Sequence, residues 1–347
     1  MRLTKKPSQS LSLLLRNWLT IKEIIIKKME TNTQNIETTG HDVKITAANE
    51  SRFSAAHYSE PLTAFTAGWK DNDELAKLLD FLAPTVEVGR RFEFKKANNA
   101  ECFLSEDDDV RAIGAAFKRV EYSGESVNEK TLNKGLTIRV DHDDIVGDSW
   151  RERYVHMLLQ RLYRNEVRRA VDALVALDTT STAKIWAGAT ASNPEGDVLE
   201  AILAAGDAMG VEPNRALFGR GAWQLRHQLY ANGQTASAFA GLGMNPMQLA
   251  STLGLDDVRV SKERYQQSGQ TGKTRLMSDK VILFHARNVL DKDDPSNLKR
   301  FVTPTEGGLF RVYLDEQCKY TDITVEHYSN IVTTSTLGVK CLNVSAK

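Results

Sequence analysis

Apolar residues between Ser149 and Asp178 recur at helical spacing for about eight turns, which predicts one long amphipathic helix. Ser149 is placed as its N-cap, with Glu152 three residues on, the capping-box spacing in which each side chain satisfies an orphan amide. Tyr154, Val155, Leu158, Leu159, Leu162 and Tyr163 form one apolar face, and Arg161, Arg164 and Arg168 form a basic stripe on the other side. Val167, Val171 and Leu174 carry the pattern onto a face turned by roughly a third of a turn, so the two ends of the helix are expected to meet different partners. At 1.5 Å per residue such a helix spans about 45 Å and acts as a spine.

The flanking patterns are shorter. Residues 30–59 are polar and without a sustained period, and read as an extended arm. Leu75, Leu78, Leu79 and Leu82 give a short amphipathic helix stopped by Pro84. Val86, Val88, Phe92 and Phe94 alternate as in a strand, with Phe117 to Tyr122 and Leu136 to Val140 as returning strands. The polar excursion between them, including the acidic run Glu106 to Asp109, is too hydrophilic to bury and is expected to project. Beyond the spine, Val198 to Met209 predicts a helix closed by Gly210, and Arg215 to Phe218 a strand. Trp223 to Tyr230 predicts another helix. The glycine- and alanine-rich stretch Asn232 to Asn245 reads as a mobile loop, and Pro246 opens a helix reaching Leu253. Strands follow at Val258 to Ser261 and Arg275 to Phe284, and Thr321 to Val344 closes the chain as a sheet.

Composition narrows the function classes. The 347 residues carry 45 lysines and arginines against 45 aspartates and glutamates, so no overall basic field is available to hold nucleic acid tightly. Cys102, Cys318 and Cys341 are odd in number and form no Cys-x-x-Cys pair, which argues against a disulfide framework or a structural zinc site and fits a reducing compartment. No stretch reaches the eighteen or so apolar residues of a membrane span. Near the start, Leu11 to Leu15 and Ile21 to Ile26 are interrupted by Arg16, Asn17, Lys22 and Glu23, and no small-residue cleavage site follows, so neither a signal peptide nor an anchor fits. Lys22-Glu23 is encodable by a purine-rich AAGGAG stretch ahead of Met29. The expectation is that residues 1–28 are a translated ribosome-binding region and that the natural chain starts at Met29, which an intact mass including Met1 to Lys28 would refute.

Candidate chemistry is sparse. Gly269-Gln270-Thr271-Gly272-Lys273-Thr274 imitates the end of a phosphate-binding loop, and a nucleotide-binding enzyme using Lys273 is an alternative reading. Gln267 stands where the first glycine is required, however, and a strand rather than a helix follows, so a hairpin turn is the expectation. Asp141, Asp143, Asp144 and Asp148, like Asp291, Asp293 and Asp294, lack calcium-loop spacing; the first group is expected to cap the spine helix and the second to form a solvated turn. No catalytic residue, cofactor or metal is expected.

Pro213-Asn214-Arg215-Ala216-Leu217-Phe218-Gly219-Arg220-Gly221-Ala222-Trp223 resembles the Pro-Asn, strand, glycine, helix-with-tryptophan passage of tailed-bacteriophage major capsid proteins of the Hong Kong 97-type fold. The order of parts from about Ser51 to Lys347, an arm, an extended loop, a spine helix, an α/β part and a closing sheet, is similar to that family too. The resemblance implies an α+β chain with an N-terminal arm (29–84), an E-loop (85–123), a peripheral domain with the spine (124–190), an axial domain (191–318) and C-terminal strands returning to the peripheral domain (319–347). It implies a subunit that forms pentamers and hexamers of an icosahedral shell in the virion, assembled in the bacterial cytoplasm around weakly contacted double-stranded DNA. A separate scaffolding protein, a portal and a decoration protein would be its partners, with no membrane. Arg90, Arg91, Lys95, Lys96, Glu106, Asp107, Asp108, Asp109, Arg161, Arg164 and Arg168 are the expected intersubunit contacts, with the spine arginines meeting a neighbour's acidic run. Gln234, Phe239, Leu242 and Met244 would lie near the capsomer axis. An encapsulin-like nanocompartment shell is the alternative within the same fold.

Overall fold

The computed structural model describes residues 57–347 apart from 70–73, 97–109, 111–112, 114–115, 117–124, 179, 189–190, 234, 268, 289–295 and 347. In chain order the elements are α1 (Glu60–Ala67), α2 (Leu75–Leu82), β1 (Thr85–Glu87), β2 (Arg91–Lys96), β3 (Glu125–Lys130), β4 (Leu132–Asp141), the spine α3 (Trp150–Leu177) and β5 (Thr182–Ile185). There follow α4 (Pro194–Met209), β6 (Arg215–Phe218), α5 (Arg220–Asn232), α6 (Ala236–Gly243), α7 (Pro246–Leu253), β7 (Asp257–Val260), β8 (Arg264–Tyr265), β9 (Thr274–Arg275) and β10 (Lys280–Phe284). The chain closes with β11 (Leu298–Val302), β12 (Phe310–Glu316), β13 (Tyr320–Thr333) and β14 (Lys340–Ser345). The α+β class expected from the sequence is the class of the structure.

Two five-stranded sheets carry the core. The first runs β1-β11-β13-β12 with β4 also paired to β13; the second runs β5-β14-β10-β6-β7. Strand membership differs from the expected boundary at residue 318. Strands β11 and β12 stand beside β13 in the first sheet, whereas β14 pairs with β10 in the second. The spine bridges both sheets. Val155, Leu158, Leu159 and Leu162 pack with Phe310, Val312, Ile323 and Val325 of the first. Val167, Val171 and Leu174 pack with Leu217, Ile282, Phe284 and Cys341 of the second, and with Leu75, Leu79 and Leu82 of α2. The turned apolar face read from the sequence therefore has two seats.

Three local expectations are corrected. Ser149 has φ −93° and ψ 26° and its side chain makes no capping bond, while Asp141 caps a one-turn 3-10 helix (His142–Asp144), accepting from the Asp143 amide at 3.0 Å, rather than the spine. The strand expected over Arg275 to Phe284 is cut before Lys280. There the Met277 and Ser278 carbonyls accept the Arg220, Gly221 and Ala222 amides, the donors that the start of α5 leaves unpaired. Glycine is required at this crossing, because a Cβ at Gly219 would stand 2.1 Å from the Ser278 oxygen. The run Val86 to Phe94 is likewise two strands: β1 joins β11 in parallel, and β2 turns away to pair with β3.

Candidate functional site

Glu166 sits where the two apolar seats of the spine meet, with its side chain 1% exposed. Lys134 donates to it at 2.9 Å, Arg169 at 2.6 Å and Ser329 at 3.1 Å. Arg300 stands 3.8 Å away, within ion-pair range and beyond hydrogen-bond length. His327 is buried beside them, with its ring 5.0 Å from that of Phe310. Burial pushes the Glu166 carboxyl up, but the charge and hydrogen bond of Lys134, with His327 and Arg300 behind them, outweigh it and hold the group at about 2. Burial lowers the Lys134 ammonium. Burial also lowers His327, to about 3. The cluster thus joins an anion on the helix to cations on β4 and β11, with a neutral imidazole on β13. Such a network fixes how the helix seats on the sheet, because sliding by one turn would strand buried charges.

At the far end of the second sheet, Arg226 of α5 is buried. It bonds Glu195 at 2.8 Å and the Gly241 carbonyl at 3.1 Å, and its guanidinium lies 5.0 Å from the Trp223 ring and 5.1 Å from that of Tyr230. Tyr230 also donates to Glu195, tying α5 to the first turn of α4. This clamp explains why Asn232 to Asn245, expected as a mobile loop, is instead the helix α6 flanked by short connections. Thr235 caps it by accepting from the Ala238 amide at 3.2 Å, and Gly241 lets its backbone approach the Tyr230 ring, which a Cβ would reach at 2.9 Å. Asn245 and Gln248 then form a reciprocal capping box for α7. On this braced base Phe239 is 66% and Met247 81% exposed, with Leu242 and Met244 half-buried. Gln234 lies outside the described residues. Met247, in the first turn after Pro246, was not among the residues singled out in the sequence.

The ribbon of β2 and β3 rests on Phe301, whose ring is 4.3 Å from Phe92 and 5.6 Å from Phe94. Its second strand is Glu125–Lys130; the expected strand Phe117 to Tyr122 lies outside the described residues, and Leu136 to Val140 pairs with β13. Val127 is the one apolar side chain in that strand, so alternation could not reveal it. Arg91, Lys95 and the half-buried Lys96 line the ribbon, and Arg90 lies 4.0 Å over the Tyr328 ring. Glu106, Asp107, Asp108 and Asp109 are outside the described residues.

The structure brings part of the spine's basic stripe against the chain itself. Arg164 lies 3.5 Å from Glu263 and Arg168 5.6 Å over Tyr265, both at the base of the β8–β9 hairpin, while Arg161 is exposed one turn earlier. Lys273, the lysine of the phosphate-loop imitation, is in that hairpin and donates to Gln266. No helix follows it, so the amides of a nucleotide cradle are not assembled there.

No family model and no curated protein matches the chain. Among solved structures, a phage-related protein of Bordetella bronchiseptica RB50 superposes with a TM-score of 0.59 at 16% identity, over 82% of this chain and 97% of that one. This chain shares that protein's fold. Weaker likenesses extend to the mature capsid of bacteriophage PhiM1, with a TM-score of 0.46 at 8% identity over 78% of this chain and 87% of that one. They extend also to the putative capsid protein of a prophage of E. coli CFT073, with a TM-score of 0.44 at 11% identity over 83% and 99%.

Proposed function

We propose that this chain is a major capsid protein of a tailed bacteriophage or prophage, whose work is self-assembly into a closed shell around packaged DNA. The observation that carries the reading is the shared fold with a phage-related protein over nearly the whole of that protein's length. The distribution of surfaces supports it. Exposed apolar side chains, Phe239 and Met247, stand on a rigidly clamped tip, the place from which an axial contact between copies would be made. A charged two-stranded ribbon leans on the first sheet at Phe301, and such ribbons gain stability by lying on another surface. In this reading Arg91, Lys95 and Lys96 belong to the contact with an adjacent copy. Modest interfaces repeated by closed symmetry then supply the stability of the particle.

The test is sedimentation velocity on the chain begun at Met29, with the full-length chain beside it, and negative-stain imaging of the fast fraction. Capsomer rings or shells are expected from the former. A monodisperse small oligomer under every condition, including co-expression with a candidate scaffolding protein, would overturn the proposal.

A further inference from the structure

The strand edges of the two large sheets are unequal. Strands β1, β5 and β7 present edges of three or four residues. The outer edge of β12 is covered by α1: the Val312 carbonyl accepts the Ser59 amide at 3.0 Å, and the Val312 amide donates to Thr63 at 3.2 Å. Strand β4 is different. It pairs with β13 over ten successive residues without a bulge, contains no proline, and has no second strand beside it among the described residues. The phase of the ladder is set just past its end, where the His142 amide donates to the Lys319 carbonyl at 2.9 Å. Even-numbered residues of β4 therefore bond β13, and the amides and carbonyls of Asn133, Gly135, Thr137, Arg139 and Asp141 turn outward. None of these backbone groups has a partner among the described residues, and all five residues are exposed. A long edge that no proline, bulge or covering element blunts is a template for another strand.

We infer that the occupant of this edge is β4 of a second copy, running antiparallel about a two-fold axis through Thr137. In that register Asn133 faces Asp141, Gly135 faces Arg139 and Thr137 faces its own counterpart, so every outward amide and carbonyl finds a partner. Any other register leaves groups unpaired at the strand ends. The side chains agree. Leu136 of one copy meets Ile138 of the other on the face turned to the spine, where both are half-buried in the single chain. On the opposite face Arg139, held by Asp322 at 2.8 and 2.9 Å, meets Gly135, which has no side chain to crowd it. Each copy brings Arg139 and Asp141 to the joined face, so charge balances there and no like charges stand opposite each other. The edge is thus self-complementary, as an isologous contact requires. Two copies suffice for it, so the inference does not rest on the capsid reading.

The test is a disulfide trap in the full chain, with Cys102 and Cys318 replaced by serine and the buried Cys341 kept, under copper phenanthroline oxidation. Hydrogen-bonded antiparallel partners lie about 5.5 Å apart at Cα, within disulfide reach. Thr137→Cys is expected to give about tenfold more covalent dimer on a non-reducing denaturing gel than Asn133→Cys, whose counterpart would lie about 27 Å away along the strand. Asn133→Cys and Asp141→Cys chains mixed in equal amounts should likewise cross-link to each other, which keeps the test open if Thr137→Cys fails to fold. Reading the gel after denaturation makes the result independent of shell formation, so failure here and failure of the capsid proposal are separate outcomes. Either cross-link in excess of the Asn133→Cys control supports the pairing. Absence of both, or as much dimer from Asn133→Cys alone, would overturn the inference.

Discussion

The two apolar seats of the spine and the charged seam between them hold the same helix by different physics. In the seats, Val155, Leu158, Leu159, Val167, Val171 and Leu174 are removed from water against two sheets, and the gain is non-directional. At the seam, Glu166 meets Lys134, Arg169, Arg300 and Ser329, a set that works in one register alone. The seats supply the affinity of helix for sheet, and the seam selects the position. A buried ionic network of this kind adds little net stability when intact and costs a great deal when broken.

Breaking the seam at its hub should give the largest effect. Glu166→Ala leaves Lys134 and Arg300 buried without their counter-charge and is expected to cost about 3–5 kcal/mol in urea unfolding. Lys134→Met should cost less, because Arg169 and Arg300 still surround the carboxylate. If the lysine variant is the more damaging, the hub has been misplaced. Emptying a seat comes next. Leu159→Ala, at a side chain wholly removed from solvent, is expected to cost about 2–5 kcal/mol by the same measurement, depending on how far the site collapses.

Acid separates the two regions without mutation. His327 titrates at about 3 in the fold against an ordinary 6.5, so between these values the unfolded chain binds the extra proton and stability falls as pH falls. The loss should be about 2 kcal/mol between pH 6.5 and 5. Glu166 works in the same direction lower down: its folded value of about 2 makes its contribution complete above 4.5 and lost as pH drops towards 2. His327→Phe should flatten the upper part of the profile, and an unchanged slope between pH 6.5 and 5 would rule the histidine out as its source. The smallest effects contrast two helix starts. Asn245→Ala removes one half of a capping box and should cost about 1 kcal/mol, whereas Ser149→Ala, at a side chain that makes no cap, should stay within about 0.5 kcal/mol. A larger loss at Ser149 would restore the capping box that the spacing of Ser149 and Glu152 suggested.

What was legible in the chain follows the same division. Helical periodicity announced the spine, its length and its two faces, because apolar burial repeats with the backbone. Leu75–Leu82, Arg215–Phe218 and Pro246–Leu253 were bounded correctly by a proline stop, a turn and a proline start. The seam was not legible. Glu166 stands beside Asn165 in a charged stretch and reads as a wetted side chain until Lys134, thirty-two residues earlier, and Arg300, far downstream, are folded onto it. Helix α6 was missed for a related reason: eight residues of alanine, glycine, serine, phenylalanine and leucine carry little periodic signal, and the order comes from Arg226 and Tyr230 in the preceding helix. Of the candidate contact residues, the spine arginines were legible as a stripe, but not that the chain's own hairpin occupies part of it.

The measurement that bears most directly on the proposed function is cryo-electron microscopy of the fast-sedimenting particles formed by the chain begun at Met29. Closed shells of fivefold and sixfold rings are expected, with Phe239 and Met247 turned towards each ring's axis and the spine seated as in the isolated chain. Particles built on another symmetry, or rings in which the α6–α7 tip points away from the axis into solvent, would contradict the capsid proposal.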